Sequence, residues 1–462
     1  MKSWAKPTPE LVARAIAGML HPEQQRYFFD RLENPEWIEP LRKAKFFVDQ
    51  PTPEQDENWV RYYLWPASRY LSRMAALEPE LVAEIMAGFP ATDNPYVIQD
   101  ILTAAASMPA ASAAKLAEAV ARTAPSGGFV GMDRAGEVAA NLARAGQASA
   151  SLKVLDSVLE VVPDTRPSTI ASGREYRREA RTRIRSFDYG NILHTYGREL
   201  TATLGAKYLE LLSKKLVFAL TQEHPYDRKT RRPVEDYSYI WRPLLEYGDS
   251  REEAKQLLIS GVLLSAESMA SAGAWNDALQ VLQRQPFMVF ERIQFFLLAK
   301  YPQLDLNLAS QKLTDPELFH DYGLRQEFNE LARATFPLLT KDQQELLYAL
   351  IDKGLEKELL VERGLSPEQI ERAVHQWKLE RFEPIRDHLS TERLEQVAEL
   401  EKEFGKATKF ENRVVRGGAV ARGAASPASH EELQSMTFDE LLAYLKSWSA
   451  DLRTPSDRHI RA

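Results

Sequence analysis

Apolar residues recur at helical spacing along much of this 462-residue chain. Between residues 199 and 220 they follow one another at intervals of three and four, the pattern of an amphipathic helix with one buried face. The residues on that face are Leu200, Leu204, Tyr208, Leu211 and Leu212. Alternating runs are short, as at Phe129-Val130 and Val414-Val415. The pattern therefore predicts a mainly helical protein in which no sheet exceeds two strands.

Proline–glutamate pairs mark the predicted helix starts. Proline suits the first helical position because its missing N–H would have no partner there, and the glutamate favours the positive end of the helix dipole. The motifs are Thr8-Pro9-Glu10, His21-Pro22-Glu23, Asn34-Pro35-Glu36, Thr52-Pro53-Glu54, Glu78-Pro79-Glu80, Asp315-Pro316-Glu317 and Ser366-Pro367-Glu368. Further starts are predicted by capping boxes at Ser250/Glu253, Thr340/Gln343, Ser366/Gln369 and Thr437/Glu440.

The composition changes along the chain. Residues 8–108 are rich in aromatic side chains, which we interpret as helix packing in preference to an aromatic ligand site. Residues 107–163 are rich in alanine. Residues 137–163, with a turn near Gly146, and residues 271–286 each read as a helical hairpin of the tetratricopeptide type, although no constant repeat period is found.

These features together predict an all-α, superhelical helical-repeat array, that is, an α-solenoid of the HEAT or TPR type. We expect N-terminal repeats over residues 1–164 and further repeats over 165–415. Residues 416–432, rich in glycine, alanine and serine up to residue 429, are predicted to be a flexible linker before a terminal helix and tail at 433–462. A polar tail in place of a capping helix is typical of a truncated or domain-split protein.

Bulk composition excludes several classes of protein. The chain has no cysteine, which removes disulfides, zinc ribbons and thiolate nucleophiles. Its formal net charge of -7 argues against a generally basic nucleic-acid coat protein. No signal peptide and no apolar run near the ~20 residues of a bilayer helix is found, so we expect a cytoplasmic protein that does not enter a membrane.

No motif in the sequence specifies a catalytic, cofactor or metal site. The eight histidines are scattered. His320-Asp321 comes nearest to a metal-ligand pair, but adjacent helical residues point about 100° apart. Ser126-Gly127-Gly128 lacks the lysine of a phosphate-binding loop. The sequence therefore favours a protein that is not an enzyme.

One basic cluster stands out. At helical periodicity Arg174, Arg178, Arg181 and Arg185 line one stripe, and guanidinium groups with nearby aromatic rings suit phosphate and base contacts. The alternative is that these arginines pair with Glu175, Glu179 and other acidic neighbours, which the overall negative charge favours. The full set of candidate anion- or nucleic-acid-binding residues is Arg174, Arg177, Arg178, Arg181, Arg185, Arg228, Lys229, Arg231 and Arg232.

Several longer strings carry a resemblance to a known family. They include Asn34-Pro35-Glu36-Trp37-Ile38-Glu39-Pro40-Leu41, Ser68-Arg69-Tyr70-Leu71, Trp241-Arg242-Pro243 and Leu313-Thr314-Asp315-Pro316-Glu317-Leu318-Phe319. In these strings the chain resembles the large bacterial helical-repeat regions of multidomain proteins suspected of antiphage defence, where they adjoin nucleases, nucleotidases or other effectors. The resemblance implies a sensor or scaffold region and carries over no catalytic residue.

The leading hypothesis is a non-catalytic scaffold or sensor that acts by protein–protein recognition as a subunit of a bacterial defence assembly. Its partner would be a separately encoded effector or NTPase. The alternative is a nucleic-acid-binding solenoid that uses the stripe from Arg174 to Arg185. An enzyme with an unrecognised site between helices is a third class, and clustered carboxylates with a histidine in one pocket would support it.

Overall fold

The computed structural model describes residues 6–57, 59–124, 131–165, 179–223, 226–227, 230, 232–233, 236, 245, 253–355, 360–361, 364–406, 436–437 and 439–440. The chain forms two compact units, Met1–Glu411 and Asn412–Ala462. The predicted linker at 416–432 lies outside the described residues, as does most of the predicted terminal helix. β3 and β4, defined below, pair across the predicted division at residue 164, which stays a prediction.

The first unit is predominantly helical, as the sequence predicts. Its N-terminal α-helices are α1 (Pro9–Gly18), α2 (Pro22–Arg31), α3 (Ile38–Lys43), α4 (Pro66–Met74), α5 (Pro79–Ala87), α6 (Pro95–Ser107), α7 (Ala110–Lys115), α8 (Ala117–Thr123), α9 (Asp133–Arg144) and α10 (Ala148–Val158). The next are α11 (Ser186–Asn191), α12 (Gly197–Leu204), α13 (Ala206–Glu223), α14 (Ala254–Ser271), α15 (Trp275–Gln283) and α16 (Met288–Lys300). The last are α17 (Leu306–Thr314), α18 (Pro316–His320), α19 (Arg325–Thr335), α20 (Lys341–Lys353), α21 (Pro367–Phe382) and α22 (Thr391–Phe404).

The remaining described elements are short. A π-helix spans Ile192–Tyr196, and short 3-10 helices lie at Pro35–Trp37, Tyr322–Leu324, Phe336–Leu338 and Glu383–His388. The strands are β1 (Glu54–Gln55), β2 (Val60–Arg61), β3 (Val161–Pro163), β4 (Ala180–Thr182), β5 (Tyr226–Asp227) and β6 (Arg232–Pro233). They form three antiparallel two-stranded sheets, so within the described residues no sheet exceeds two strands.

The proline–glutamate pairs begin helices at all but one of the predicted positions, and at Asn34 the start is a 3-10 turn that runs into α3. Thr52-Pro53-Glu54 is the exception, because Glu54 lies in strand β1. The residues after Pro53 are polar and exposed. With no apolar stripe to bury, a helix there would gain nothing from packing.

The capping boxes are confirmed at Thr340/Gln343 and Ser366/Gln369. At Thr437/Glu440 the Thr437 amide donates to the Glu440 carboxylate at 2.8 Å, which confirms the third box. The prediction at Ser250/Glu253 is wrong, since α14 begins one residue after Glu253. Glu253 therefore lies at the N-cap and not in the first turn.

The predicted helix at 199–220 is correct in its buried face and wrong in its continuity. Leu200, Leu204, Tyr208 and Leu212 are buried. Gly205 adopts a φ of 56° and separates α12 from α13. Glycine adopts this left-handed conformation without the steric cost that a side chain would bring, so the chain changes direction here.

Both predicted hairpins are present. α9 and α10 are joined at Gly146, and α14 and α15 at Gly273, with φ values of 77° and 80°. The first hairpin differs from expectation at its end, where residues 161–163 form strand β3 and do not simply stop the helix.

The aromatic residues of the N-terminal region mostly form core, as predicted. Phe29, Trp37 and Tyr70 are almost fully buried, and the Phe28 and Trp37 rings pack edge to face at 5.4 Å. Tyr27 and Trp59 are exceptions, with 61% and 50% of their surfaces exposed.

Helices contact partners close to them in sequence. α2, α4, α6, α9, α12 and α14 form one series in which each helix packs against the next member. A second series runs from α3 through α5 to α8 and α10. α13 packs against both α14 and α15, and α16 packs against α19. The hydrophobic core is correspondingly continuous from α1 to α22.

Basic side chains of one helix donate hydrogen bonds to carbonyl oxygens at the C-terminal end of another. Arg73 of α4 donates to the carbonyl oxygens of Phe29, Asp30 and Leu32 at the end of α2. Arg122 of α8 does the same for α5 through Ala87 and Phe89, and Lys215 of α13 donates to Asp156 of α10 at 2.7 Å. The last carbonyls of a helix have no partner within it and carry partial negative charge, so a cation stabilises them.

Two glycines allow neighbouring helices to pack closely against the π-helix. A Cβ on Gly136 of α9 would lie 2.8 Å from the Tyr196 ring and 2.9 Å from the Ile192 side chain. A Cβ added to Gly261 of α14 would lie 3.3 Å from both Leu193 methyl groups. Glycine at these positions lets the backbones approach more closely than alanine would allow.

We expect Gly136→Ala to lower the free energy of unfolding by about 1–3 kcal/mol, because overpacking displaces Tyr196 and Ile192. Chemical denaturation measures the loss. Gly18→Ala is the matched control: nothing lies within 4 Å of its added Cβ, so stability should stay unchanged or rise by up to about 1 kcal/mol. Equal stability of the Gly136 variant and the wild type would contradict this account of the crossing.

Candidate functional site

The predicted arginine stripe is not a helix where the structure describes it. Arg181 lies in strand β4, opposite Val162 of β3. Ala180 and Thr182 are buried whereas Arg181 is exposed, so this segment alternates with the period of a strand. Arg185 lies immediately before α11. Arg174, Arg177 and Arg178 lie outside the described residues. The prediction that Arg181 and Arg185 share a helical face is therefore wrong.

Acidic partners hold the basic residues next to Arg181. Arg183 donates through Nε to Glu160 at 2.6 Å. Arg185 binds Asp188 through two hydrogen bonds, at 2.8 and 3.1 Å, and this pairing raises the pKa of the Arg185 guanidinium. Glu179 accepts from the buried Lys255 at 3.1 Å. Arg185 thus follows the ion-pair interpretation, whereas the partner of Glu179 is Lys255, which is not one of the predicted arginines.

The second basic group is described in part. Arg232 lies exposed in β6, paired in register with Asp227 of β5. Arg228, Lys229 and Arg231 lie outside the described residues. Their proposed contact with nucleic acid stays a prediction.

We expect Arg185→Gln to lower the free energy of unfolding by about 1 kcal/mol or more, because the Asp188 side chain is only 2% exposed and would lose its charged partner. Arg181→Gln, on the exposed face of β4, should change stability by less than about 0.5 kcal/mol. Thermal unfolding of the two variants side by side makes the comparison. A larger loss for Arg181→Gln would refute the structural role given to Arg185.

A partly buried carboxyl group, that of Asp100, lies between α4 and α6. The Ser68 hydroxyl is within hydrogen-bond distance of both the Trp65 carbonyl, at 3.0 Å, and the Asp100 carboxyl. Because a hydroxyl has one proton, Ser68 can donate to only one of these two oxygens at a time. Burial raises the pKa of Asp100 to about 6, against the opposing effects of Ser68 and Arg69.

The raised pKa of Asp100 makes stability depend on pH. The folded state holds this proton more tightly than the unfolded state, so the stabilisation is complete below about pH 4 and is lost as pH rises through 6. We expect Asp100→Asn to raise the free energy of unfolding by about 2–3 kcal/mol at pH 7.5 and to change it little at pH 4. Denaturation at both pH values, with the exposed Asp49→Asn as control, measures this. A gain of equal size at pH 4 would show that ionisation is not the cause.

Two buried arginines lie in the C-terminal half of the first unit. Arg292 of α16 is 0% exposed and binds the Glu327 carboxylate of α19 through Nε at 3.0 Å and Nη2 at 2.5 Å. Burial raises the pKa of Glu327 while Arg292 opposes this. The Arg292 guanidinium is thus paired with the carboxylate of Glu327.

Arg381 of α21 differs from Arg292 in its partners. The residue is 5% exposed, and its Nη2 donates to the Phe319 carbonyl at 2.6 Å. The guanidinium carbon lies 4.7 Å from the centre of the Phe319 ring, 5.4 Å from Phe328 and 5.3 Å from Trp377. Its Nε and Nη1 atoms are buried and have no hydrogen-bond partner among the described residues.

Among the residues that the structure describes, no carboxylate balances the charge of Arg381. Burial and the nearby Arg325 guanidinium lower the pKa of Arg381 to about 9, so it still carries its proton at neutral pH. Arg325 itself pairs with Glu380. Among the described residues no carboxylate pairs with Arg381, and a buried charge without a counterion is costly.

Sequence reasoning missed Arg381, although a signal was present. Ile370, Val374, Trp377 and Arg381 follow one another at intervals of four, three and four along α21. All are buried, so the arginine occupies a position of the apolar stripe. A charged residue in such a position predicts a buried charge and hence a partner that must be found elsewhere.

An apolar cleft lies at the N-terminal end, between α1 and α2. This open cleft has a volume of about 470 Å³ and is lined by Arg14, Ala15, Gly18, Met19, Glu23, Gln24, Tyr27 and Phe28. Its volume and lining suit an apolar side chain or small apolar group.

Comparison with protein-family models, curated proteins and solved structures finds no match for this chain. Among the described helices, none combines the length and the apolar character that crossing a bilayer requires.

Proposed function

We propose that this chain is an α-solenoid of the HEAT/TPR-like class that acts by protein–protein recognition. The supporting observation is the pattern of helix contacts, in which α2, α4, α6, α9, α12 and α14 pack in succession while α3, α5, α8 and α10 form a second series. Two parallel series of neighbouring contacts are the arrangement by which helical repeats stack. Sequence-adjacent packing of this kind produces long, preformed surfaces.

Preformed surfaces favour recognition because the partner binds helices that are already ordered, which keeps the entropic cost of association low. The net charge of -7 and the carboxylate partners of Arg183 and Arg185 count against a phosphate-binding role for this part of the chain. Protein recognition is therefore favoured over nucleic-acid binding.

Within this proposal the chain serves as a sensor or scaffold subunit of a bacterial antiphage defence assembly, with an effector or NTPase encoded separately. The basis is the resemblance of its recurring strings to helical-repeat regions of such proteins. The cell compartment that fits is the cytoplasm, where an intracellular trigger would be met.

The test is co-expression of the full chain with the products of neighbouring genes, followed by size-exclusion chromatography at 0.1 and 0.5 M salt. We expect a stoichiometric complex that persists at the higher salt, since a mixed protein interface responds weakly to screening. Deletion of the gene should lower resistance to phage in the same host.

Nucleic-acid binding provides the contrasting outcome. A gel shift with DNA or RNA at physiological salt, with affinity falling steeply as salt rises, would favour the nucleic-acid-binding solenoid instead. The variant Arg181→Gln would then weaken the shift, whereas under our proposal neither probe is bound tightly by the wild type.

A further inference from the structure

We propose that Arg381 anchors a binding site for a small molecule that carries an oxyanion, either a carboxylate or a phosphate. The inference rests on buried donors and local charge, and it does not depend on the recognition function proposed above.

The first step is the state of the guanidinium. Arg381 sits among Phe319, Phe328 and Trp377 and makes one hydrogen bond, to the Phe319 carbonyl. Packing against rings stabilises a cation and does not satisfy its N–H groups, which lie in the guanidinium plane. Buried polar groups in folded proteins are almost always hydrogen-bonded, so orphaned donors such as Nε and Nη1 call for a bound water or ion.

The second step is the sign of the charge. Arg325 lies close enough to lower the pKa of Arg381, and among the described residues it is Arg325, not Arg381, that pairs with Glu380. A water molecule would satisfy the donors of Arg381 without supplying a counterion. An oxyanion does both, because charge-assisted hydrogen bonds from guanidinium to carboxylate or phosphate are among the strongest in proteins.

The third step is size. With Arg381 5% exposed, its donors lie out of reach of a nucleic-acid backbone or a folded partner surface, so a ligand that meets them must be small. Carboxylate and phosphate share the chemistry that Arg381 recognises, and the probes below separate them.

The experiment is isothermal titration calorimetry of the full chain at pH 7 with sodium acetate and, separately, with sodium phosphate, each at an ionic strength fixed with sodium chloride. We expect saturable binding of at least one probe to the wild type, and Arg381→Met should weaken it by about tenfold or more. The matched control is Arg333→Met, which removes a half-exposed arginine of the neighbouring helix α19 and should leave binding unchanged.

A second measurement guards against misfolding of Arg381→Met. Trp377 lies 5.3 Å from Arg381, so ligand binding should change the intrinsic fluorescence of the wild type, and Trp377→Phe should remove that change. Arg381→Lys, which keeps the charge and loses the planar donors, should bind with intermediate affinity. Absence of binding by both probes, or equal binding by wild type and a folded Arg381 variant, would overturn the proposal.

Discussion

The structure depends on one constraint, which is that a short amphipathic helix cannot bury its apolar face alone. Helices of 9 or 10 residues such as α1, α2 and α4 are too short to be stable in isolation, so each gains its stability from neighbours. Close neighbours in sequence are the cheapest to reach because the loops that join them are short. The serial contacts from α2 to α14 and the continuous core follow from this requirement.

The sequence predicts correctly those features, such as helix starts, that depend on residues close together in the chain. Helix starts at Pro9 and Pro367 depend on side-chain caps and on the helix dipole, and both act within one turn. Thr52-Pro53-Glu54 has the same start signal and fails, because no apolar stripe follows it. Arg181 shows where local patterns fail. It lies in a strand because it pairs with Val162, and no local pattern around the arginine indicates that partner.

The candidate site at Arg381 could not be predicted from the sequence for a related reason. Arg292 and Arg381 both interrupt apolar helix faces, and spacing alone marks both as buried. Only the fold distinguishes them, since Arg292 meets Glu327 on α19 whereas Arg381 meets rings, one carbonyl and a second guanidinium. Partners separated by 35 and 62 residues are assembled by tertiary packing. The periodicity of apolar residues therefore identifies a buried arginine, whereas the tertiary structure determines whether that arginine has a carboxylate partner.

The basic caps at helix ends have a consequence for how the array opens. Fraying of α4 would withdraw Arg73 from the carbonyls at the end of α2, and loss of α8 would likewise uncap α5. Local opening then propagates backwards along the chain, because a helix that has lost its cap frays more readily. Protection of backbone amides against hydrogen exchange should accordingly fall together in α2 and α4, so that the cooperative unit is a pair of helices and not a single one.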